Sequence, residues 1–218
     1  MQGKWATFSD DLLKLVSTLY TNTNFPQLKT YLKEFKHEFL FDKMYTVMMK
    51  YRKVESGLLQ TLLHQKCGFI PEGLSSACDW ESLEMVYGDF FEIYANLLVV
   101  PTVLNNLSVR GDYQNFNSPD FTLAKYLASD KSGRSENFKT NNILNSLSDF
   151  YDSSIRNGTH HKASSFDNNN QTITLRTGKG GKTQKNMSLV NYIEHCNEIY
   201  ARILIVLRSY YFIIQLTP

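Results

Sequence analysis

The chain has 218 residues, 42% hydrophobic and 13% aromatic, which suffices to bury a core in one large or two small domains and excludes a disordered polypeptide. Twenty-three Lys and Arg against 21 Asp and Glu leave +2, so whole-chain charge names no polyionic partner. Cys67, Cys78 and Cys196 lie far apart without a CxxC pair, which argues against a disulfide framework or a zinc site and fits a reducing cytoplasm.

In chain order, the opening "MQGKWATFSDDLLKLV" is interrupted by Lys4, Asp10 and Asp11, unlike the apolar stretch of a signal peptide, so no secretion is expected. Ser9 with Asp10 and Asp11 reads as the start of a helix through Leu12, Leu15, Val16 and Leu19. Pro26 fits the first turn of a second helix through Leu28, Tyr31, Leu32 and Phe35. A third runs from about Phe41 to Lys66. The Gly, Pro and Ser of "CGFIPEGLSS" mark the best internal boundary, giving an N-terminal helical region 1–70 of unknown role and a helical domain 71–218.

Ser76 or Asp79 can cap a long helix carrying Leu83, Val86, Phe90, Phe91, Tyr94 and Leu98, which Pro101 is expected to terminate. A loop from Asn106 to Pro119 precedes a short helix through Leu123 and Tyr126, and "SDKSGRSENF" reads as a second loop. In "KTNNILNSLSDFYDSSIRN", Ile143, Leu147, Phe150 or Tyr151, and Ile155 stand at helical spacing and predict a helix that ends at Arg156, with Gly158 breaking it. "SSFDNNNQ" reads as a polar turn. "TITLRT" and "KTQKNMS" read as the strands of one hairpin joined by "GKGG", before a closing helix from Leu189 to about Leu216. Ile203 to Ile214 is apolar but broken by Arg208 and shorter than the roughly 20 residues of a membrane span, so it reads as a core helix, with no membrane role. The fold class is all-α, a helical bundle with one small β-hairpin inserted before the long C-terminal helix.

"TGKGGKTQ" ends in Gly-Lys-Thr, but the first glycine of a phosphate-binding loop would fall at Arg176, and no helix follows to face a phosphate. It reads as a hairpin turn with a basic tip. The stretch "SSIRNGTHHK" is more informative. Histidine titrates near neutrality and can take a proton from a ribose 2'-OH or return one to a leaving 5'-oxygen, while arginine offers a charged fork of donors to a phosphate. Asparagine orients either without titrating. Metal-free phosphodiester transesterification needs little more. The plain alternative is that Arg156 serves a helix dipole while Asn157 and Gly158 form a C-cap, which leaves His160 and His161 unexplained.

Arg156, Asn157 and His161, with four residues between Arg156 and His161, resemble the motif of HEPN-domain ribonucleases: an Arg, commonly a polar residue next, then four to six residues to a His. The resemblance covers about Leu74 to Leu216. It implies an all-α HEPN-type bundle, often paired as a homodimer with a composite active site. It also implies metal-independent RNA cleavage without a cofactor, and a place in toxin, abortive-infection or anti-phage systems, where an antitoxin or defence-system partner is expected. By the same resemblance Arg156 binds the phosphate, Asn157 orients, and His161 is the general acid or base, with His160 a secondary candidate because only three residues separate it from Arg156. Gly158 and Thr159 depart from the family pattern.

From Arg156 to Lys185 six cations stand against Asp167 alone, so Lys162, Arg176, Lys179, Lys182 and Lys185 are the expected RNA-binding residues. The acidic set Glu81, Glu84, Asp89 and Glu92 could reach the motif from the long helix, though a solvated face is the commoner use. His195 reads as a packed or surface residue. Two rivals stand beside the nuclease: a non-catalytic RNA- or nucleotide-binding module, and a helical regulatory or interaction protein.

Overall fold

The structure, a computed structural model, describes residues 2–35, 37–67, 79–160, 163–178 and 181–216; the side chains of 2–4, 37–41, 60, 64–66 and 160 are outside that description. It is mostly helical with a small antiparallel sheet. The elements are α1 (Gln2–Leu19), α2 (Phe25–Glu34), α3 (His37–Lys66), α4 (Trp80–Leu83), α5 (Val86–Leu97), α6 (Val99–Arg110) and α7 (Leu123–Ala128). After 3-10 turns at Lys131–Phe138 and Asn145–Leu147 come α8 (Ser153–His160), β1 (Ser164–Asp167), β2 (Thr172–Thr177), β3 (Thr183–Ser188) and α9 (Leu189–Gln215). The "CGFIPEGLSS" boundary lies outside the described residues, apart from Cys67.

By internal contacts the chain forms two compact units. One contains Met44–Ile93 and Asp152–Ala201; the other contains Gln2–Lys43, Tyr94–Tyr151 and the chain from Arg202.

The first unit holds the sheet, α8 and the candidate site. Its strands form a meander in the order β1-β2-β3, with Phe166 opposite Ile173 and Ile173 opposite Met187. Ile173 and Leu175 of the central strand are fully buried, as is Ile155 of α8, with Tyr87 and Phe90 of α5 and Tyr192, Ile193 and Cys196 of α9. The buried Tyr192 hydroxyl is satisfied: it donates to the Glu84 carbonyl at 2.7 Å and accepts from the Tyr87 N–H at 3.3 Å. Trp80 stacks on Phe166 with centroids 5.5 Å apart, and Tyr51 stacks on Tyr200 at 3.9 Å.

In the second unit, Arg202 is fully buried between the rings of Trp5 at 4.7 Å and Phe150 at 4.9 Å, and its Nε donates to the Ser146 carbonyl at 3.0 Å. Arg134, also buried, donates to the carbonyls of Ala95 and Leu127.

Four expectations are corrected. Pro101 does not end the long helix: the break falls at Leu98, and Pro101 sits in the first turn of α6, where a missing N–H leaves no bond unmade. The helix then runs to Arg110 and stops at Gly111, whose φ of 73° is the left-handed conformation of a C-terminal cap. The span 139–152 is not an α-helix and holds only the short 3-10 turn Asn145–Leu147. Asn141 Oδ1 accepts from the N–H groups of Ile143 and Leu144, side chain competing with backbone, and Phe150 takes a φ of 60°. Ser164–Asp167 is a strand with alternating burial rather than part of a polar turn.

The fourth correction concerns Gly158. It does not break the helix but lies inside α8, which places Arg156 mid-helix. A Cβ at Gly158 would stand 2.8 Å from Leu175 Cβ, so glycine lets α8 lie directly against β2. Beyond it, the Ala163 N–H donates to the Gly158 carbonyl at 2.9 Å, and the Arg176 N–H to the Ala163 carbonyl at 2.8 Å.

One helical stretch, Trp80–Arg110, is apolar and long enough to cross a membrane, but 89% of its apolar window is buried inside the protein, the position of a core element. Ile203, Val206, Tyr210 and Ile213 of the last apolar run are buried too.

Gly158→Ala is expected to lower stability by about 1–3 kcal/mol through overpacking, despite a gain of about 1 kcal/mol in helix propensity. Chemical denaturation measures this; an unchanged or raised midpoint would mean that α8 does not lie against Leu175.

Candidate active site around Arg156

Helix α8 is fixed at its start by Asp152. One carboxylate oxygen accepts from the Ser154 N–H at 2.8 Å and the Ser154 hydroxyl at 2.5 Å, as an N-cap does. The other accepts from Lys185 of β3 at 2.5 Å. The Asp152 N–H donates to the Tyr87 hydroxyl at 2.8 Å, so α5 and β3 both hold this end of the helix. Burial works against the Asp152 carboxylate, but the hydrogen bonds from Lys185 and Ser154 and the Lys185 charge outweigh it, holding the carboxyl below its ordinary range.

One turn on, Arg156 meets Glu92 of α5. Its Nε and Nη2 both donate to Glu92 Oε1, at 2.7 and 2.6 Å, and Nη1 donates to Asn157 Oδ1 at 2.9 Å. Each partner keeps about a quarter of its side chain exposed, 26% and 25%. A guanidinium has five N–H donors, so these contacts leave one N–H on each Nη uncommitted. Asn157 thus holds the Nη1 side of the guanidinium.

His160 closes α8 in its backbone, four positions after Arg156 and so one helical turn away; its side chain, and the whole of His161, lie outside the described residues. Ile155, Gly158 and Thr159 are buried, and the Thr159 hydroxyl donates to the Ile155 carbonyl at 3.0 Å. Gly158 and Thr159, which depart from the family pattern, are therefore the residues that seat α8 against its neighbours.

Of the expected RNA-binding cations, Lys185 is tied to Asp152 rather than free. Arg176 on β2 and Lys182 before β3 are exposed and make no ion pair among the described residues. Lys162 and Lys179 lie outside the described residues. The "TGKGGKTQ" segment joins two antiparallel strands, with Gly178 at φ 75° and Gly181 at φ 68°, and leads into β3 rather than a helix. His195 bonds the Asn191 carbonyl at 2.8 Å and lies edge-on to Tyr87, a packing role.

Three of the four acids noted in sequence are engaged: Glu84 accepts from the Ser164 hydroxyl, Asp89 pairs with Lys50, and Glu92 holds Arg156. Asp152 is a residue of the site not singled out from the sequence. Its signal was present, an Asp directly before two serines and a helix-forming stretch, but it was hidden by the assumption that one helix ran through from Lys139. No cluster of three or more metal-ligating side chains occurs among the described residues.

Because its carboxyl is held low, Asp152 contributes stability that is present above the unfolded-state carboxylate range and is lost as pH falls through the lowered folded value. Asp152→Asn keeps a capping oxygen but removes the charge that pairs with the partly exposed Lys185, and is therefore expected to cost up to about 1 kcal/mol at pH 7. The difference from wild type should shrink below pH 4 in urea melts at several pH values; a constant difference would show that the carboxylate charge is not what fastens α8. Comparison with known protein families, characterised proteins and solved structures gives no match to this chain.

Proposed function

We propose that the protein is a metal-independent endoribonuclease of the HEPN type, acting on RNA through Arg156 and the histidine pair His160 and His161. The observation that carries this reading is the state of Arg156: clamped by Glu92 and Asn157, yet with one N–H on each Nη left for a phosphate. It stands on a helix whose last residue is His160, and the motif residue His161 follows directly.

In the reaction, a histidine takes the proton of a ribose 2'-OH as that oxygen attacks phosphorus. The P–O5' bond breaks as a second acid, supplied by the neighbouring histidine or by its copy in a partner subunit, protonates the leaving 5'-oxygen. The products are a 2',3'-cyclic phosphate and a 5'-OH. Arg156 binds the phosphate and offsets the charge that grows on its oxygens in the transition state. Glu92 keeps the guanidinium in one pose, and Asn157 holds its Nη1 edge. The exposed Arg176 and Lys182 supply electrostatic attraction for the RNA backbone. A homodimer with a composite site, and a toxin or anti-phage setting with an antitoxin or defence partner, complete the reading.

A second reading, a non-catalytic RNA-binding or regulatory helical protein, is favoured by the same ion pairs. Glu92 neutralises Arg156 and Asp152 neutralises Lys185, which is also how a helix is simply fastened to its neighbours.

The two separate by experiment. Wild-type protein should cut single-stranded RNA in EDTA, and Arg156→Ala and His161→Ala should each reduce the rate by about 100-fold or more, the usual worth of a positioned acid-base or phosphate-binding group. Circular dichroism should show both variants folded. Undiminished cleavage by a folded Arg156→Ala, His161→Ala double variant would sink the nuclease assignment; RNA binding with no cleavage in any buffer would favour the second reading.

A further inference from the structure

The second unit contains a cavity of about 560 Å³ beneath the loop that follows α6, within the size range of small-molecule sites. Arg110, the last residue of α6, forms part of its wall. An arginine serving only the helix dipole would donate to the last carbonyls of its helix. This one instead donates from Nη1 to Asn106 Oδ1 at 2.9 Å and from Nη2 to Asn117 Oδ1, a residue of the loop itself.

Two consequences follow from those partners. Both are neutral amides, so the guanidinium is held in one pose while its charge stays uncompensated. It makes no ion pair with any described residue, and no carboxylate lines the cavity. Three of its five N–H donors are uncommitted. Such a cation is arranged to meet an anion, and a planar fork favours phosphate or carboxylate oxygens.

The remaining walls add a second kind of recognition. Phe121 is half-exposed in the lining and braced edge-on by the buried Phe116, with centroids 5.0 Å apart. The exposed amides of Gln114 and Asn115 stand in the same lining. Each amide presents both a donor and an acceptor, which suits the alternating groups on the edge of a nucleobase, and an aromatic face suits its ring.

We propose that this cavity binds a mononucleotide, with the phosphate on Arg110 and the base against Phe121. The assignment uses residues separate from Arg156 and does not depend on the nuclease reading.

Calorimetric titration of the full chain with AMP, GMP, adenosine and inorganic phosphate at low salt tests it. At least one mononucleotide should bind roughly tenfold or more tightly than either adenosine or phosphate alone, since both ends of the ligand are held. Arg110→Gln should weaken that binding by roughly tenfold or more, the worth of a charge-assisted hydrogen bond. Should Arg110→Gln fail to fold, Phe121→Ala serves instead, and should bring the affinity for the mononucleotide down to that for phosphate. Absence of binding by either mononucleotide at millimolar concentration would overturn the proposal. So would unchanged affinity in a folded Arg110→Gln or Phe121→Ala protein, or inorganic phosphate binding as well as AMP.

Discussion

The candidate site depends on a single ion pair, Arg156 with Glu92. It joins α8 to α5 through two N–H donors on one carboxylate oxygen, with each partner about three-quarters covered. An exposed pair of this kind contributes at most about 1 kcal/mol, whereas removing one partner of a fully buried pair costs about 3–5 kcal/mol because the other is left uncompensated. Partial exposure puts this pair between those limits. Its geometry matters more than its energy: Glu92 takes the Nε edge, so the uncommitted donors of the guanidinium are on its Nη ends.

Everything around α8 serves to keep that pose. Asp152 fixes the first turn from one side through Ser154 and from another through Lys185. Gly158 removes a Cβ where Leu175 stands, allowing the helix to lie against the central strand. Thr159 is buried behind it and bonds back to Ile155. A helix of eight residues is too short to be stable alone, so these tertiary contacts are what hold it.

Much of the fold was legible in the sequence because apolar periodicity and turn residues report directly on local structure. The second and third helices, the β2-β3 hairpin and the closing helix stand where the pattern places them, whereas α1 starts at Gln2 and carries Ser9, Asp10 and Asp11 in its interior rather than at its start. The failures share a cause: a residue's usual meaning was overridden by its neighbours. Pro101 usually ends a helix, but here it falls in a first turn. Gly158 usually breaks one, but here contact with β2 requires it. Ile143, Leu147 and Ile155 keep helical spacing, yet Asn141 captures the backbone N–H groups that a helix would have needed. Within the candidate site, the motif proposes Arg156 and Asn157, and they stand side by side on α8 joined by a hydrogen bond. Which of four acids would meet Arg156, and that Lys185 would be bound to Asp152, depend on how separate elements come together, which no local pattern contains.

In the proposed reaction, Arg156 and its histidines direct a 2'-OH onto phosphorus without a metal. End analysis of the fragments from single-stranded RNA incubated with the wild-type protein in EDTA tests that claim most directly. The expected ends are 2',3'-cyclic phosphate and 5'-OH. Fragments bearing 5'-phosphate and 3'-OH ends, or RNA left intact by the folded protein, would contradict it.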